Sequence, residues 1–569
     1  MSIRKKWWVL FVFPFLLNCT KQTTLNESKN ELIGAIGDSA MVVSAHPIAT
    51  EIGFQTIKNG GNAIDAAIAT QFALAVVYPR AGNIGGGGFA VLRMSDGTSS
   101  ALDFREMAPS LAHRDMFLDS EGNPISKLSN QGTLASGVPG SVAGMWELHQ
   151  TYGNLPWSKL VQPAVDVAYY GFEITEDEAS ALNEKQQDFK EANRYRPWAI
   201  KEVGWTAGDL VKQAELAASL SFIRDQGRDG FYKGIVADQI TKEMAAGNGI
   251  ISKKDLENYK AIWRAPIIGD YKGHKIIGMP PPSSGGIALM QILRGAELLS
   301  LGNYQHNSTE AINLMAEIES RVFADRAKFI GDSDFFDVPV DTLISIIYAK
   351  QRFSEILVDQ KTPSSEISHG NIPPYESTET THFSVVDTEG NAIAITTTLN
   401  MNYGCKVWVK GAGFVLNNEM DDFSAKPGSP NYYGLIGNEA NAIAPGKRML
   451  SAMTPTIVEK NGHLKMVVGT PGGGTIITTV SQVIRNVIDY DMSMQEAVSA
   501  KRIHHQWLPD EIKVEKGALT KRIQKSLEKM GHKINTLDKI GRADCILVRD
   551  DGTYEGGADP RGDDLAKGF

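Results

Sequence analysis

Apolar residues recur at helical spacing over much of the chain before residue 358. The segment "ATEIGFQTIKNGGNAIDAAIATQFALAVVYP" predicts two helices separated at Gly60 and Gly61, and "PGSVAGMWELHQTYG" predicts a helix that begins near Pro139. The loop "PPPSSGG" precedes another helical pattern, "IALMQILRGAELLSLG". From about Gly34 to Val358 we therefore expect mostly helices connected by glycine turns.

The pattern changes to strict alternation after Thr380. The runs "TTHFSVV" and "AIAITTTL" predict two half-buried strands, and the residues between them are "DTEGN". Gly390 suits the left-handed position of a three-residue hairpin loop. Pairing outward from this loop sets His382 opposite Thr396 and Thr380 opposite Thr398. Directly opposed residues share one face of a sheet, with Cβ atoms about 4.5–5.5 Å apart.

Two later segments, "KMVVGT" and "CILVRD", also predict strands. Strands combined with many helices indicate an α/β or α+β architecture. The chain has 569 residues, which is enough for a large core or for two closely packed halves.

The composition argues against a nucleic-acid partner, because the net charge is -9 and the sequence contains no basic block. No cysteine pair has the spacing of a zinc site, and we expect no metal or organic cofactor. Cys405 and Cys545 either pair or stay free. The run Gly85–Gly88 lacks the spacing of a dinucleotide fingerprint and indicates close backbone packing. His504 and His505 lack metal-ligand spacing, so we interpret them as structural.

The N-terminus is typical of an export signal. Residues 4–6 are basic, and residues 7–17 form an apolar run that is too short for a conventional membrane-spanning helix. The sequence "LLNC" resembles a bacterial lipoprotein signal, which would make residues 1–18 the signal peptide, Cys19 the lipidated residue and residues 19–33 a polar tether. We expect an exported protein of the periplasm or cell envelope, held at the membrane through a lipid anchor only. The alternatives are an ordinary signal peptide or an uncleaved anchor.

Thr380 has two interpretations. A Thr–Thr pair on adjacent strands commonly stabilises a sheet. Alternatively, Thr380 is a nucleophile whose own α-amine is the base, which requires cleavage of the bond between Glu379 and Thr380. A free α-amine titrates near 7.7–8.0, which suits base catalysis at neutral pH. The preceding segment "TPSSEISHGNIPPYESTE" has the composition of a loop in which a cut is tolerated.

Motifs along the chain resemble those of the γ-glutamyltranspeptidase family. Before residue 380 they are "GGNAIDAAIA", "GGGGFA", "LDFREMAP", "GVPGS" and "PPPSSGG"; after it they are "TTHFSVVD", "TLN", "NNEMDDFS", "MTPTIV", "GTPGGG", "HHQWLPDE" and "ADPR". The matches are collinear from about residue 40 to the C-terminus. The resemblance implies an N-terminal-nucleophile hydrolase fold of the α+β class, an αββα sandwich of two stacked sheets between helical layers.

The resemblance also implies that the chain cleaves itself before Thr380. The hydroxyl of Thr380 would attack the carbonyl of Glu379 and give an ester that hydrolyses. The products would be a large subunit, residues 34–379, and a small catalytic subunit, residues 380–569, which form a heterodimer. In the mature enzyme the hydroxyl of Thr398 would orient the nucleophile.

The segment "LKMVVGTPGGGTIITTVSQVIRNVID" predicts a strand, a glycine loop and a helix. The loop is either a tight connection or an oxyanion hole, and a phosphate site is disfavoured because the P-loop lysine is missing. The resemblance places the oxyanion donors on Gly472 and Gly473, whose backbone N–H groups can approach a reacting carbonyl.

Three charged residues are candidates for substrate binding. From composition alone, Arg105 would form a surface ion pair with Asp103 or Glu106, and "NNEMDDFS" would be a solvated loop. The resemblance makes Arg105 a clamp on the substrate α-carboxylate, which suits a bidentate guanidinium. It assigns the α-ammonium to Glu419 and Asp422, together with Asn400.

Two further positions affect the predicted substrate range. Ser451 matches a family serine that hydrogen-bonds the α-carboxylate, but Ala452 stands where the family commonly has a second serine. We therefore expect weaker glutamyl binding or altered acyl selectivity. "PGSPNYYGLIGNEANAIAPGKR" is either a surface loop or, by resemblance, a lid with Tyr433 as its gate.

The resemblance implies a glutathione hydrolase and γ-glutamyl transferase. Thr380 would attack the γ-carbonyl of glutathione or another γ-glutamyl amide, and water, an amino acid or a peptide would accept the γ-glutamyl group. One alternative is a related acylase that acts on glutaryl or poly-γ-glutamyl amides. An alternative of another class is an inactive surface lipoprotein that only binds ligands.

Overall fold

The computed structural model describes residues 32–368, 380–426 and 439–569. The predictions on Cys19 and the signal peptide, on Glu379 and on Tyr433 lie outside the described residues, as does most of the polar tether.

Strands and helices are interspersed throughout the described residues. In chain order the strands are β1 Ala35–Gly37, β2 Met41–Ser44, β3 Gly87–Arg93, β4 Ser99–Phe104, β5 Phe172–Glu173, β6 Leu210–Val211, β7 Ile262–Arg264, β8 Ile267–Tyr271, β9 His274–Gly278, β10 Thr381–Val386, β11 Ala392–Thr398, β12 Thr456–Lys460, β13 His463–Val468, β14 Ile503–His504, β15 Ile512–Glu515, β16 Ile534–Leu537, β17 Cys545–Val548, β18 Tyr554–Gly557 and β19 Leu565–Gly568.

The helices include the four that the sequence pattern predicted before residue 300. In chain order the helices are α1 Pro47–Lys58, α2 Ala63–Val77, α3 Ser126–Asn130, α4 Ser141–Tyr152, α5 Trp157–Tyr170, α6 Glu176–Glu184, α7 Gln186–Ala192, α8 Ala214–Gln226, α9 Asp229–Tyr232, α10 Gly234–Gly247, α11 Lys253–Asn258, α12 Gly285–Leu298, α13 Thr309–Phe329, α14 Val340–Leu343, α15 Ile346–Phe353, α16 Thr475–Tyr490, α17 Met494–Ser499 and α18 Lys521–Lys529. The four predicted ones are α1, α2, α4 and α12.

Two seven-stranded sheets form the centre of the molecule. Their strand orders are β1-β18-β17-β13-β12-β9-β8 and β19-β2-β10-β11-β3-β4-β7. Helices α1, α2 and α4 pack against the second sheet, α12 and α16 pack against the first, and the sheets contact each other through β10, β11, β13 and β17. The predicted αββα sandwich is confirmed.

Each sheet combines strands from both sides of residue 380. The β10–β11 hairpin lies between β2 and β3, and β12 and β13 lie between β9 and β17. The expectation of mostly helices between residues 34 and 358 is therefore incomplete, because this part contains β1 to β9. Strands β3 and β4 are covered on both faces, so they lack the polar alternation that identifies a half-buried strand.

The predicted register of the β10–β11 hairpin is confirmed. His382 pairs with Thr396, and the last pair in the ladder is Thr381 with Thr397, one position before Thr380 and Thr398. Gly390 has the expected positive φ of 81°. The apolar residues of the hairpin divide between the helical layer and the other sheet, so both faces are buried.

Asp387 fixes the hairpin loop to the rest of the fold. Its carboxylate accepts the backbone N–H groups of Glu389 and Asn391, each at 2.9 Å, and that of Ala63 at 2.8 Å. Ala63 is the first residue of α2. The loop that sets the register is therefore bound to the start of a buried helix.

Close packing explains the glycines of the run Gly85–Gly88, as predicted. A Cβ atom on Gly86 would lie 2.0 Å from the carbonyl oxygen of Thr398, and one on Gly88 would lie 2.4 Å from the carbonyl oxygen of Thr396. Only glycine permits β3 to approach the end of β11 this closely.

Both described cysteines, Cys405 and Cys545, are buried and free. His504 is buried, with Nδ1 2.9 Å from Thr478 Oγ1, and His505 accepts the backbone N–H of Trp507 at 3.0 Å. In the part of the chain that the structure describes, no helix has the length and apolar character needed to span a bilayer.

Candidate active site

The predicted site residues that lie within the described ranges converge on Thr380. One cavity, here called the acyl cavity, is lined by Arg105, Thr380, Thr398, Asn400, Glu419, Asp422, Ser451, Ala452, Met453, Gly473 and Ile476. The remaining predicted residue, Gly472, lines a neighbouring cavity that also contains Thr380. Met453 and Ile476 were not predicted.

Thr380 and Thr398 lie at the mouth of the space between the two sheets. Both side chains are buried, and Thr398 Oγ1 accepts the backbone N–H of Asn400 at 2.7 Å. Asn83, which the sequence did not single out, donates to the carbonyl oxygen of Thr398 at 2.9 Å and accepts the N–H of Gly86 at 3.0 Å. The end of β11 is therefore held by both backbone and side-chain contacts.

No histidine lines the acyl cavity among the described residues. His382 is near it in the chain, but its ring is bound between Thr396 Oγ1 at 2.8 Å and Ser384 Oγ at 3.1 Å. Burial lowers the pKa of His382 to about 3, so the ring is neutral and only weakly basic at neutral pH. A hydroxyl nucleophile at Thr380 would need another base.

Gly472 and Gly473 lie in the bend between β13 and α16. Their φ angles are 138° and 54°, and a Cβ atom on Gly472 would lie 2.4 Å from Thr475 Oγ1. Within the described residues, neither glycine N–H donates a hydrogen bond. Two successive N–H groups beside Thr380, just before a helix N-terminus, can bind an oxyanion.

Arg105 is the centre of a buried ion cluster. It follows β4 and is 1% exposed, with Nη1 2.6 Å from a carboxylate oxygen of Glu419 and Nη2 2.5 Å from one of Asp422. The alternatives of a surface ion pair and a solvated loop are therefore wrong. Glu419 and Asp422 lie together because a 3-10 turn, Glu419–Asp422, points both into the cavity.

A third carboxyl group makes this cluster acidic. Glu106 Oε2 lies 3.4 Å from Arg105 Nη1, and burial, opposed by Arg105, raises the pKa of Glu106 to about 7. Burial also raises the pKa values of Glu419 and Asp422. Three carboxyl groups share one guanidinium in direct contact, so a bound cation would favour their ionised forms.

Asn400 connects the end of β11 to the acidic turn Glu419–Asp422. Its backbone has a positive φ of 73°, which asparagine tolerates better than most residues. Its side-chain amide donates to the carbonyl oxygen of Asn418 at 3.0 Å, directly before Glu419.

Ser451 belongs to a loop that is held by the segment "PPPSSGG". Ser451 donates its N–H to the carbonyl oxygen of Pro282 at 3.0 Å, and its own carbonyl oxygen accepts the N–H of Ser284 at 2.8 Å. Arg326, a buried residue that the sequence did not reveal, donates to Ser284 Oγ at 2.8 Å. Ala452 presents a methyl group at the cavity next to Ser451.

Besides Met453 and Ile476, which line the acyl cavity, sequence reasoning missed two charged residues that do not line it, Glu106 and Arg326. Glu106 had a signal, because it adjoins Arg105 in "LDFREMAP". Arg326 had none, because it occupies one position of the long helix α13. Within residues 32–368, 380–426 and 439–569, no group of three or more His, Cys, Asp or Glu side chains is arranged to hold a metal ion.

Comparison with known proteins gives a consistent result. The family model described as Gamma-glutamyltranspeptidase matches residues 49–569. A glutathione hydrolase proenzyme of Escherichia coli K12 is 48% identical over 533 residues, which cover 93% of this chain and 92% of the relative.

Two solved structures are also similar. Cephalosporin acylase from Bacillus halodurans has a TM-score of 0.82 and 26% identity, and the match covers 94% of this chain and 97% of that one. The Helicobacter pylori gamma-glutamyltranspeptidase has a TM-score of 0.55 and 46% identity, and the match covers 57% of this chain and 94% of that one.

Proposed function

The chain belongs to the γ-glutamyltranspeptidase family, and we propose that it is a self-processing glutathione hydrolase and γ-glutamyl transferase with Thr380 as its nucleophile. The observation that carries this assignment is the position of Thr380. It lines one cavity with Arg105, Glu419 and Asp422. It also lies beside Gly472 and Gly473, whose N–H groups donate no hydrogen bond within the described residues. The family and its proenzyme relatives make it an enzyme of acyl transfer and hydrolysis.

Self-processing would create the catalytic base. The Thr380 hydroxyl attacks the carbonyl of Glu379, the peptide C–N bond breaks as an ester C–O bond forms, and water then hydrolyses the ester. The new α-amine of Thr380 can accept the hydroxyl proton in later turnovers. The low basicity of His382 supports this role for the amine, because no described histidine offers an alternative.

In turnover, Thr380 would attack the γ-carbonyl of the donor. The oxyanion that forms would receive hydrogen bonds from the N–H groups of Gly472 and Gly473. A typical donor of this kind lowers the barrier by about 2.7–4 kcal/mol. Thr398, next to Thr380 on the adjacent strand, would orient the attacking hydroxyl. Water or an amine then releases the γ-glutamyl group.

The ion cluster explains how the pocket would select an amino acid. In the free site Arg105 binds Glu419 and Asp422. A substrate α-carboxylate would take the place of these carboxylates on the guanidinium, while its α-ammonium binds the two released carboxylates. Asn400 and Ser451 supply neutral hydrogen bonds at the same end. The exchange leaves every buried charge paired, which limits the desolvation cost.

The acylase alternative is less well supported. A glutaryl group lacks the α-ammonium, so Glu419 and Asp422 would stay paired with Arg105 and leave the carboxylate without its main partner. Ala452 removes one hydroxyl that would bond the α-carboxylate, and a hydrogen bond to a charged group is worth about 1.5–3 kcal/mol. That loss weakens glutamyl binding but does not reverse the preference for an ammonium group.

We also propose export, lipidation at Cys19, and cleavage into residues 34–379 and 380–569. The basic and apolar N-terminal sequence supports export. The mixed strand order supports a stable heterodimer, because separating the fragments would remove the β10–β11 hairpin from between β2 and β3. The segment that contains Tyr433 would act as a lid.

We predict that Thr380→Ala abolishes self-cleavage and leaves a single chain on a denaturing gel, because no hydroxyl remains to attack the preceding carbonyl. Thr381→Ala is the matched control, since Thr381 is buried beside it and its hydroxyl has no hydrogen-bond partner among the described residues. That variant should still give two bands. Efficient processing of the Thr380 variant would exclude the mechanism.

We predict that Arg105→Lys raises KM for a γ-glutamyl anilide about tenfold to a hundredfold, because lysine cannot form the bidentate pair. Arg114→Lys serves as control: Arg114 is about half exposed and pairs with Glu439 at the surface, so KM should stay unchanged. Melting temperatures verify that both variants are folded. An unchanged KM for the Arg105 variant would remove this residue from the pocket.

We predict that L-glutamate binding releases protons between pH 6 and 7 and tightens as pH rises through this range. Glu106 is mostly protonated below its pKa of about 7, and a bound ammonium favours its ionised form. Calorimetry in two buffers with different ionisation enthalpies measures the release.

In this experiment Glu106→Gln is the matched control, because it keeps the size of the side chain and removes the titrating group. Proton release in this variant should be smaller than in the wild type. Equal release in the two proteins would contradict the coupling.

A further inference from the structure

A second cavity also contains Thr380 but not Arg105. It is lined by Tyr78, Arg80, Thr380, Pro471, Gly472, Lys539, Gly541 and Arg542. We call it the cationic cavity. Thr380 lines both the cationic cavity and the acyl cavity. Of the two glycines in the bend, Gly473 lines the acyl cavity and Gly472 lines the cationic cavity.

The two cavities that share Thr380 indicate how the bond that Thr380 attacks would be oriented. A carbonyl attacked by Thr380 and bound by Gly472 and Gly473 lies where the two cavities meet. Its acyl part occupies one cavity, so the group on the other side of the bond must extend into the other cavity. This step rests on the proposed function, because it requires an acyl group in the pocket of Arg105.

The two cavities differ in charge. The acyl cavity contains two carboxylates and one guanidinium, whereas the described lining of the cationic cavity contains three cations and no acid. Of these cations, Arg80 pairs with Asp177 and Arg542 pairs with Asp564, and both carboxylates lie outside the lining.

Tyr78 holds the two arginines in place. The guanidinium carbon of Arg80 lies 4.6 Å from the centre of the Tyr78 ring, and that of Arg542 lies 5.2 Å from it. Arg542 also donates to the Tyr78 hydroxyl at 2.7 Å and to the carbonyl oxygen of Ala45 at 2.8 Å. These cations are therefore fixed in the wall.

Lys539 differs from the arginines. It is exposed and forms no hydrogen bond or close ion pair within the described residues, although its charge, after that of Arg80, helps to lower the pKa of Asp177 against the effect of burial. Its long side chain at the rim can reach an anion that enters the cavity, and the two fixed arginines add to the favourable potential there.

We propose that the cationic cavity binds amines that carry a carboxylate, and that Lys539 binds this carboxylate. The ligands are the dipeptide that leaves from the donor and the amino acid or dipeptide that accepts the γ-glutamyl group. During transfer, the acceptor amine attacks the ester carbonyl, a C–N bond forms, and the Thr380 C–O bond breaks. The amine proton passes through the Thr380 α-amine to Oγ1, which regenerates the hydroxyl.

The test compares two acceptors that differ only at the carboxylate. Mature wild-type enzyme is given a γ-glutamyl anilide as donor, with glycylglycine or glycylglycinamide as acceptor. We expect a lower KM for glycylglycine. In Lys539→Gln this preference should fall roughly two- to tenfold, as expected for the loss of one partly exposed ion pair. In Lys539→Glu it should fall further.

The control is Lys533→Gln, an exposed lysine of the same segment that does not line the cavity. It should keep the wild-type preference. Added salt should reduce the preference of the wild type more than that of Lys539→Gln, which retains only the contribution of the two arginines. No preference in the wild type, or an equal preference in the Lys539 variants, would overturn the assignment. Absence of anilide turnover in the wild type would instead contradict the proposed function itself.

Discussion

The antiparallel register between β10 and β11 is the constraint on which the site depends. Side chains alternate between the faces of a strand, so a shift of one residue would turn Thr380 from the space between the sheets to the helical layer. The structure prevents such a shift at the hairpin loop, where the Asp387 carboxylate accepts the backbone N–H groups of Glu389 and Asn391 and that of Ala63 at the start of α2. At the other end of the hairpin, the close approach of Gly86 to the Thr398 carbonyl oxygen prevents the same shift in register.

The second determinant is the distribution of charge around Thr380. On one side, Arg105 and the acidic turn form a buried pocket that suits a group with both an ammonium and a carboxylate. On the other side, Arg80, Lys539 and Arg542 form a cavity that suits an anion. Thr380, the proposed nucleophile, lines both cavities, so charge would orient the scissile bond before any chemistry occurs. In the proposed mechanism this division lets one threonine distinguish the acyl group from the amine that leaves or accepts it.

Local sequence patterns predicted those parts of the fold that local chemistry determines. The hairpin register followed from one glycine and from two alternating runs, and the first helices followed from their period and from the Gly60–Gly61 break. The strands before residue 358 were missed, because β3 and β4 are covered on both faces and carry no polar alternation.

The collinear motifs predicted which residues form the site, but they did not predict the burial and ion pairs of these residues. Nothing local in the sequence reveals that Arg105 is fully buried, because its burial depends on how the turn Glu419–Asp422 packs against it. Arg326 and Lys539 reach the site from segments with ordinary patterns, and only the tertiary structure brings them there.

The most direct measurement is the N-terminal sequence and the intact mass of the smaller fragment of purified, active protein. If the α-amine of Thr380 is the catalytic base, the sequence must begin Thr-Thr-His-Phe, and the mass must correspond to residues 380–569. An active protein whose fragment begins at any other residue, or which remains one uncut chain, would contradict the account.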